Sequence, residues 1–354
     1  MTMPGRWLAV EALALRRPLT GVGRYTAKLL DALLANYPDL GLDLLTLGNA
    51  DLDSGAVLRS GHAQDRVRVH RRTAPSVRLY RLGVACGIAP SVESLFPVVR
   101  QAVGIFYPNF VRYPTHLHLP QAVVLYDATF RIFPDDKSRW FRTGWSRLTQ
   151  RSLDSPARCV TISQSAARDI GTFFRVRSPL DLIYPGHDPV TRHVAPREDK
   201  PYVLVIGTDS PRKNVQVVKR AHARLRQEDR PRLVIVGQGH NADADVETTG
   251  FVDDTHLSEI LAGAAALVAP SRNEGFDLPV IEALAAGVSV IASDIPVHRE
   301  VLGDDWPYYF APDDVAALAS LLASVPHLPA VRTPDLQRFQ WDVSSRYLGD
   351  LLEL

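Results

Sequence analysis

Short apolar runs alternate with helix-length segments along both halves of this chain, and this alternation constrains the fold most. The runs of strand type in the first half are residues 7–10, 42–47, 104–107, 122–125 and 159–162. Those of the second half are residues 202–206, 233–236, 266–268 and 288–292. Alternating strands and helices build parallel sheets with helices on both faces. The sequence therefore predicts an α/β fold with two Rossmann-like, doubly wound domains.

The predicted domain border lies near the middle of the chain. A length of 354 residues fits two domains of roughly 150 to 200 residues each. A polar, proline-rich segment between residues 181 and 201 is typical of a connector. We predict an N-terminal domain at residues 1–186, a C-terminal domain at 197–340 and a terminal helix at 341–354.

Composition indicates a globular protein of the cytoplasm. With 46% hydrophobic and 22% charged residues, the chain has no apolar run near the length of a membrane span. Prolines and charged residues interrupt residues 1–17, so we expect neither a signal peptide nor a spanning helix. Only two cysteines occur, Cys86 and Cys159. This argues against a disulfide framework or a cysteine metal site and favours a reducing compartment.

Charge is distributed unevenly between the two halves. Residues 1–180 hold 24 Lys and Arg against 13 Asp and Glu, whereas residues 181–354 hold 16 against 26. A basic first half favours an anionic partner such as a membrane surface, a lipid-pyrophosphate carrier or nucleic acid. Attraction between the two halves across a cleft is the alternative.

The segment with the most chemical information is residues 270–287, which read PSRNEGFDLPVIEALAAG. It predicts a loop that carries Glu274 and then a helix that begins near Leu278, carries Glu282 in its first turns and ends before Gly287. Two acceptor-only carboxylates at this junction suit a ligand rich in hydroxyl donors, such as a sugar or a ribose. A solvated loop carboxylate and a helix-face carboxylate are the alternative for the spacing alone.

The predicted start of this helix is suited to phosphate. Backbone amides of Phe276, Asp277 and Leu278 lie at the positive end of the helix dipole, where they could bind a diphosphate. Residues 207–214 read GTDSPRKN and follow the strand at 202–206. Their cations, Arg212 and Lys213, would neutralise charge on a departing nucleoside diphosphate. A solvated basic turn is the alternative.

Taken together, these motifs resemble those of the retaining GT-B glycosyltransferases of the GT4 family. The resemblance spans roughly residues 15–345 and includes, besides the two acidic residues eight positions apart, residues 20–25, 160–163, 211–214, 234–237, 250–253 and 293–303. It implies a GT-B fold, in which an N-terminal acceptor-binding domain and a C-terminal nucleotide-sugar-binding domain face a central cleft. It also implies that the last helix crosses back to the N-terminal domain.

The resemblance assigns roles to individual residues of the second half. Glu274 would hydrogen-bond the donor sugar and stabilise an oxocarbenium-like transition state, and Glu282 would bind the ribose hydroxyls. Lys213, with Arg212, would neutralise the diphosphate, and GT-B enzymes generally use cations and a helix dipole there instead of a metal. We therefore expect no metal and no cofactor besides the nucleoside diphosphate sugar as co-substrate.

Residues of the first half are predicted to complete the site. Gly21 and Gly23 match the glycine loop through which the family's backbone approaches donor phosphates and acceptor, although a helix-entry turn is the alternative. Tyr126 and Asp127 stand where many relatives have His-Asp and would orient acceptor or sugar. Tyr126 could equally be a core aromatic.

Asp277 departs from the family pattern, because relatives usually have glycine there. A carboxylate beside a pyrophosphate is unfavourable unless it points away, contacts a sugar hydroxyl or caps the helix.

Residues 137–151 predict a basic amphipathic helix. Trp140, Phe141, Trp145 and Leu148 share one face, and the segment carries several cations, so it could lie on anionic lipid. The alternative is a core-facing helix whose Arg side chains snorkel to solvent. We expect a cytoplasmic protein that associates peripherally with the inner face of the plasma membrane.

The predicted activity is transfer of a hexose from a nucleoside diphosphate to a lipid-linked or polysaccharide acceptor, in the biosynthesis of a cell-surface glycan such as lipopolysaccharide. The phosphate loop at residues 207–214 resembles that of mannosyl- and deoxyhexosyltransferases of surface polysaccharide pathways, and this resemblance implies mannose from GDP-mannose. UDP- or dTDP-sugars are the alternative donors. No nucleic acid is expected as a partner. A degenerate transferase acting as a nucleotide-sugar-binding subunit is a second hypothesis. An epimerase or hydrolase would need a carboxylate and histidine pair near the sugar, which the sequence does not reveal.

Overall fold

The structure is a computed structural model that describes residues 4–58, 64–73, 76–188, 201–242, 246–250, 252–325 and 334–354. Most of the predicted connector and the first residues of the predicted second domain, 189–200, lie outside the described residues. The chain forms two compact units. Unit 1 comprises Met1–Gly186 and Phe339–Leu354, and unit 2 comprises His187–Arg338.

Unit 1 is built on a parallel sheet of seven strands. The strands are β1 (Arg6–Glu11), β2 (Leu40–Leu47), β3 (Val67–Arg72), β4 (Gly104–Tyr107), β5 (Gln121–Val124), β6 (Arg158–Thr161) and β7 (Asp181–Leu182). Their order is β3-β2-β1-β4-β5-β6-β7, and each neighbouring pair is parallel. This is the doubly wound order, which reverses direction between β1 and β4.

Helices connect these strands. They are α1 (Gly21–Asn36), α2 (Val77–Cys86), α3 (Val92–Leu95), α4 (Thr129–Ile132), α5 (Arg139–Leu153), α6 (Gln164–Phe173) and, after unit 2, α12 (Trp341–Leu351). Short 3-10 segments lie at Leu13–Leu15, Ser54–Leu58, Gln64–Arg66, Pro97–Gln101 and Pro134–Asp136. Ser163 caps α6, because its hydroxyl accepts a hydrogen bond from the Ala166 amide at 2.8 Å.

The core of unit 1 explains why these strands form. All eight residues of β2 are buried, which fits a strand covered by helices on both faces. The edge strand β3 instead exposes arginine side chains, and charged edges resist pairing with another sheet.

Helix α12 belongs to unit 1, although it follows unit 2 in the chain. It packs on α1, where the Asn36 side-chain amide donates to the Ser345 hydroxyl at 2.8 Å. The Ser344 hydroxyl donates to the Tyr184 carbonyl at 2.5 Å. The predicted terminal helix therefore packs back on the N-terminal unit.

Unit 2 repeats the architecture with six parallel strands. They are β8 (Tyr202–Ile206), β9 (Arg232–Val236), β10 (Val246–Gly250), β11 (Ala266–Ala269), β12 (Ser289–Ser293) and β13 (Tyr309–Phe310), in the order β10-β9-β8-β11-β12-β13. Its helices are α7 (Val215–Ala223), α8 (Asp254–Gly263), α9 (Leu278–Ala285), α10 (Pro296–Leu302) and α11 (Val315–Ala323), with a 3-10 segment at Gln227–Asp229. Strand order again reverses between two neighbours, here β8 and β11.

No helix among the described residues is long and apolar enough to cross a membrane.

Candidate functional site

The predicted phosphate-binding residues lie where the sheet of unit 2 reverses its strand order. Strand β8 ends at Ile206 and leads through a turn with Arg212 and Lys213 into α7. The neighbouring β11 ends at Ala269 and leads through a loop with Glu274 into α9. Ligands of open α/β sheets bind at the carboxyl ends of the strands at such a switch point. The topology therefore places both loops at one edge.

The two cations converge on the loop carboxylate. The Arg212 Nη1 lies 2.6 Å from Glu274 Oε2, and the Lys213 Nζ lies 2.7 Å from Glu274 Oε1. The Ser271 hydroxyl donates to the same Oε1 at 2.7 Å. Glu274 is only 8% exposed, which rules out the solvated loop carboxylate considered as an alternative. The structure thus joins three of the predicted site residues into one cluster.

Electrostatics favour the charged form of Lys213. Burial by itself would lower the pKa of its amine, but the carboxylates of Glu274 and Asp277 outweigh burial and raise the pKa above the ordinary lysine value. Lys213 therefore carries a positive charge in the site.

Backbone contacts fix the two loops against each other. The Arg212 guanidinium donates to the Asn273 carbonyl at 3.1 Å, and the Arg272 amide donates to the Arg212 carbonyl at 2.8 Å. The Asn214 side chain donates to the carbonyls of Pro270 at 3.1 Å and Pro312 at 2.7 Å. The cluster is therefore held by main chain on both sides.

Helix α9 has the boundaries that the sequence predicts. It begins at Leu278 with Pro279 in its first turn, and Gly287 follows it with φ of 70°. Glu282 lies one turn inside the helix and is partly exposed. The amides before Leu278 lie at the positive end of the helix dipole, next to the cation cluster.

Asp277 occupies the N-cap position of α9 but does not cap the helix. Its φ and ψ are 71° and 68°, in the left-handed region, and its side chain accepts no capping hydrogen bond. Its Oδ2 instead lies 3.0 Å from the Nε2 of His298, and its Oδ1 lies 4.0 Å from the Lys213 Nζ. Of the three arrangements considered for this carboxylate, the structure excludes helix capping, and contact with a sugar hydroxyl stays a prediction.

Sequence reasoning missed His298 and Ser271. A single histidine inside the buried face of α10 is typical of a core residue, so its position gave no signal. Ser271 precedes Glu274 by three residues, a spacing at which a loop can fold back on itself, and this was the signal available.

The glycines predicted as a phosphate loop form the first turn of α1. The helix begins at Gly21, and the Thr20 hydroxyl accepts from the Gly23 amide at 3.4 Å. A Cβ on Gly23 would lie 2.6 Å from the Ala14 carbonyl oxygen, whereas one on Gly21 would meet no atom within 4 Å. Gly23 is therefore required by close packing, and the helix-entry alternative describes this segment. Donor contact by either glycine stays a prediction.

Tyr126 is a buried aromatic residue of unit 1. Its hydroxyl donates to the Pro108 carbonyl at 2.8 Å, and its ring lies edge-on to Tyr25 with centroids 5.4 Å apart. Burial raises the pKa of the Tyr126 hydroxyl. The adjacent Asp127 accepts from the Thr129 amide at 3.0 Å, as in an Asx turn. The core-aromatic alternative thus describes Tyr126, while contact of either residue with a substrate stays a prediction.

Helix α5 divides the predicted apolar face into two parts. Leu148 is buried in the core, and Trp145 stacks on Phe141 with ring centroids 5.4 Å apart. Trp140, at the beginning of the helix, is 89% exposed. The core-facing alternative therefore describes the second half of the helix, and its first turn presents aromatic surface to solvent.

Among the described residues no group of three or more His, Cys, Asp or Glu side chains could hold a metal ion. The cluster at the switch point instead combines two cations, a helix N-terminus and a shared carboxylate. This donor set suits a phosphate-bearing ligand.

Comparisons with known proteins agree with this donor set. Residues 200–325 match a family model described as glycosyl transferases group 1. The chain is 26% identical to the O-antigen chain mannosyltransferase B of Escherichia coli, over 86% of this chain and 87% of that protein. It is 32% identical to the MMP alpha-(1->4)-mannosyltransferase of Mycolicibacterium hassiacum, over 52% of this chain and 48% of the other.

Among solved structures, the sucrose-phosphate synthase from Thermosynechococcus elongatus superposes with a TM-score of 0.73 at 18% identity, covering 98% of each chain. At this identity the likeness shows a shared fold and nothing about the substrate.

Proposed function

We propose that this chain, which belongs to the GT4 family of glycosyltransferases, transfers mannose from GDP-mannose. The anomeric configuration of the mannose would be retained. The acceptor would be a lipid-linked saccharide or a growing polysaccharide of the cell surface. The names of its mannosyltransferase relatives support the sugar and the type of pathway.

The observation that carries the proposal is the convergence of Arg212 and Lys213 on Glu274, at 2.6 and 2.7 Å, in front of α9. Two cations that share one carboxylate can equally share the oxygens of a diphosphate, which carries more negative charge. Donor binding would thus transfer both cations from Glu274 to the diphosphate. The Glu274 carboxylate would then be available to the hydroxyl groups of the sugar.

The reaction follows from these charges. As the bond between the anomeric carbon and the diphosphate oxygen breaks, negative charge develops on the leaving phosphate and positive charge on the sugar ring. Lys213 and Arg212 stabilise the negative charge on the phosphate, and the carboxylate of Glu274 stabilises the positive charge on the sugar ring. The acceptor hydroxyl attacks from the face that the diphosphate leaves and gives its proton to the departing phosphate oxygen. These steps would retain the configuration of the anomeric carbon without a metal or a covalent intermediate.

A transfer assay tests the proposal. Purified protein is incubated in EDTA with GDP-mannose, or with UDP-, dTDP- and ADP-sugars, and with a lipid extract or mannose oligosaccharides as acceptors. We expect release of GDP only from GDP-mannose and an α-linked product by NMR. Lys213→Ala should lower kcat about 100- to 1,000-fold, by analogy with removal of one transition-state donor. Asp229→Asn, which breaks an exposed ion pair with Arg226, is the matched control.

Other outcomes would change the conclusion. A β-linked product would contradict retention, and turnover of a different donor would replace GDP-mannose. Nucleotide binding without any transfer would favour the binding-subunit hypothesis.

We further propose that unit 1 rests on an anionic membrane surface through α2 and α5. The two helices pack together, and the Arg151 Nε donates to the Ala85 carbonyl at 3.0 Å. The exposed large apolar side chains on α2, on α5 and just after α2 are Leu79, Leu82, Ile88, Trp140 and Phe141. Apolar and aromatic side chains among arginines are typical of helices that lie in a lipid interface.

Vesicle sedimentation tests this membrane surface. The protein should sediment with vesicles that contain phosphatidylglycerol and not with pure phosphatidylcholine. Arg78→Glu should weaken binding at least about fivefold, because one basic residue near an anionic surface contributes about 1 kcal/mol. Val343→Ser, which alters an exposed apolar residue of α12, is the control. Equal binding to both lipids, or binding unaffected by Trp140→Ser with Arg78→Glu, would contradict the proposal.

A further inference from the structure

We propose that Asp277 and His298 form a positioning pair that holds Lys213 in place for the diphosphate. This inference rests on the proposed function, since it assigns Lys213 to the leaving group. It adds a residue of α10 to a site that the sequence motifs place on two loops.

The pair is buried beneath the cation cluster. His298 is fully buried and the Asp277 side chain is 5% exposed. One carboxylate oxygen of Asp277 lies 3.0 Å from His298 Nε2, and the other lies 4.0 Å from the Lys213 Nζ. Asp277 therefore connects the histidine to the lysine. Lys213 faces two carboxylates, Glu274 and Asp277, and one further cation, Arg212.

Hydrogen bonding determines where the protons of this pair lie. The His298 Nδ1 lies 2.8 Å from the Ser293 carbonyl oxygen, which can only accept, so Nδ1 carries a proton. The Ser293 hydroxyl donates to the Ser271 carbonyl at 2.5 Å, so its single proton is already used. The contact between Nε2 and Asp277 then requires a second proton. Asp277 and His298 together hold that proton between them.

The charge on Asp277 follows from its surroundings. Burial by itself would raise the pKa of its carboxyl, but Lys213 and the hydrogen bond from His298 outweigh burial and lower the pKa to about 2. Asp277 therefore presents a negative charge to Lys213.

The backbone offers no reason for an aspartate at this position. Its φ of 71° lies in the region that glycine adopts freely, whereas a residue with a Cβ is disfavoured there by about 1 to 2 kcal/mol. The side chain does not offset this cost by capping α9. What the aspartate supplies is its contact with His298 and Lys213.

Asp277 should matter most when the bond to the diphosphate breaks. If donor binding transfers Lys213 from Glu274 to the diphosphate, Asp277 is the carboxylate that stays with the lysine throughout. Without Asp277, Glu274 would be the single carboxylate partner of Lys213 among the described residues, and the lysine would leave that carboxylate less readily. The loss should therefore fall on kcat more than on KM for the donor.

The test compares Asp277→Asn and Asp277→Gly with wild-type protein and with the control Asp229→Asn. We expect kcat to fall about 10- to 100-fold, the scale of a small misplacement in a site, with donor KM changed much less. The alkaline limb of the kcat profile should move to lower pH, because Lys213 loses one of its two carboxylates. The glycine variant also removes the backbone strain, so a loss of activity with an unchanged melting temperature would separate positioning from folding.

A second measurement does not depend on activity. Labelling of Lys213 by an amine-acylating reagent across pH, read by mass spectrometry, should begin at lower pH in both variants than in wild type. Unchanged labelling and unchanged kcat would overturn the pairing. Shifted labelling in a protein whose wild type transfers no sugar would uphold the pair and contradict the proposed function instead.

Discussion

Replacing Glu274 by glutamine should lower the free energy of unfolding and, at the same time, raise the affinity for free pyrophosphate. In the structure the Glu274 carboxylate accepts charged contacts from Arg212 at 2.6 Å and Lys213 at 2.7 Å. The neutral amide of glutamine would leave two neighbouring cations without their shared anion. The stability and the ligand affinity of unit 2 should therefore change in opposite directions.

The magnitude follows from the contacts that are lost. A hydrogen bond to a charged group contributes about 1.5 to 3 kcal/mol, and breaking a buried ion pair costs about 3 to 5 kcal/mol. Glutamine keeps one acceptor oxygen for Lys213 or for the Ser271 hydroxyl, so we expect a loss near the lower value, about 3 kcal/mol. For a domain of this size, that corresponds to a melting temperature lower by about 6 to 12 °C.

Differential scanning calorimetry, with and without inorganic pyrophosphate, measures both effects. Pyrophosphate should raise the melting temperature of Glu274→Gln more than that of wild type, because no internal carboxylate competes for the cations. Glu247→Gln, which removes an exposed carboxylate 2.9 Å from Arg232, is the matched control and should change neither quantity. The idea of a shared anion would be wrong if Glu274→Gln melted at the same temperature as wild type. It would also be wrong if pyrophosphate raised the melting temperature of both proteins equally.

Three further predictions concern stability. Folding lowers the pKa of the Asp277 carboxyl from 3.8 to about 2. The ionised carboxylate therefore contributes on the order of 2 kcal/mol of stability above about pH 4, and this contribution is lost as the pH falls toward 2. Acid unfolding followed by circular dichroism should show a smaller loss of stability between about pH 4 and pH 2 in Asp277→Asn than in wild type. Gly23→Ala should destabilise unit 1 by about 1 to 3 kcal/mol in urea unfolding, because its Cβ would meet the Ala14 carbonyl. Gly21→Ala, in open space in the same helical turn, should be neutral or stabilising by up to about 1 kcal/mol, and equal effects of the two alanines would contradict the packing argument.

The strands that the sequence predicted are those in which most residues are buried and apolar, so that they read as continuous apolar runs. The apolar runs at 42–47 and 233–236 correspond to β2 and β9. Edge strands escaped prediction because they lack such runs: β3 reads VRVHRR and exposes its arginines, and β10 reads VETTG. Strands β7 and β13 have two residues each, too few for any periodic pattern.

The site was predictable to the extent that it depends on loops that follow neighbouring strands. Arg212, Lys213 and Glu274 meet because parallel strands bring their carboxyl ends to one edge of the sheet. The contact between Asp277 and His298 depends instead on how α9 and α10 pack, and no spacing in the sequence encodes it. Nor could the sequence distinguish a phosphate loop at Gly21 from the first turn of a helix, since glycine fits both.

Nucleotide binding is the most direct test of the central claim that the cluster of Arg212, Lys213 and Glu274 is a nucleoside diphosphate site. Thermal unfolding is followed in EDTA with GDP, UDP, dTDP or ADP, where a ligand at 100 times its Kd stabilises by about 2.7 kcal/mol. We expect selective stabilisation by GDP that is lost in Lys213→Ala and kept in Asp229→Asn. Stabilisation by no nucleotide, or by GDP equally in the Lys213→Ala variant, would contradict it.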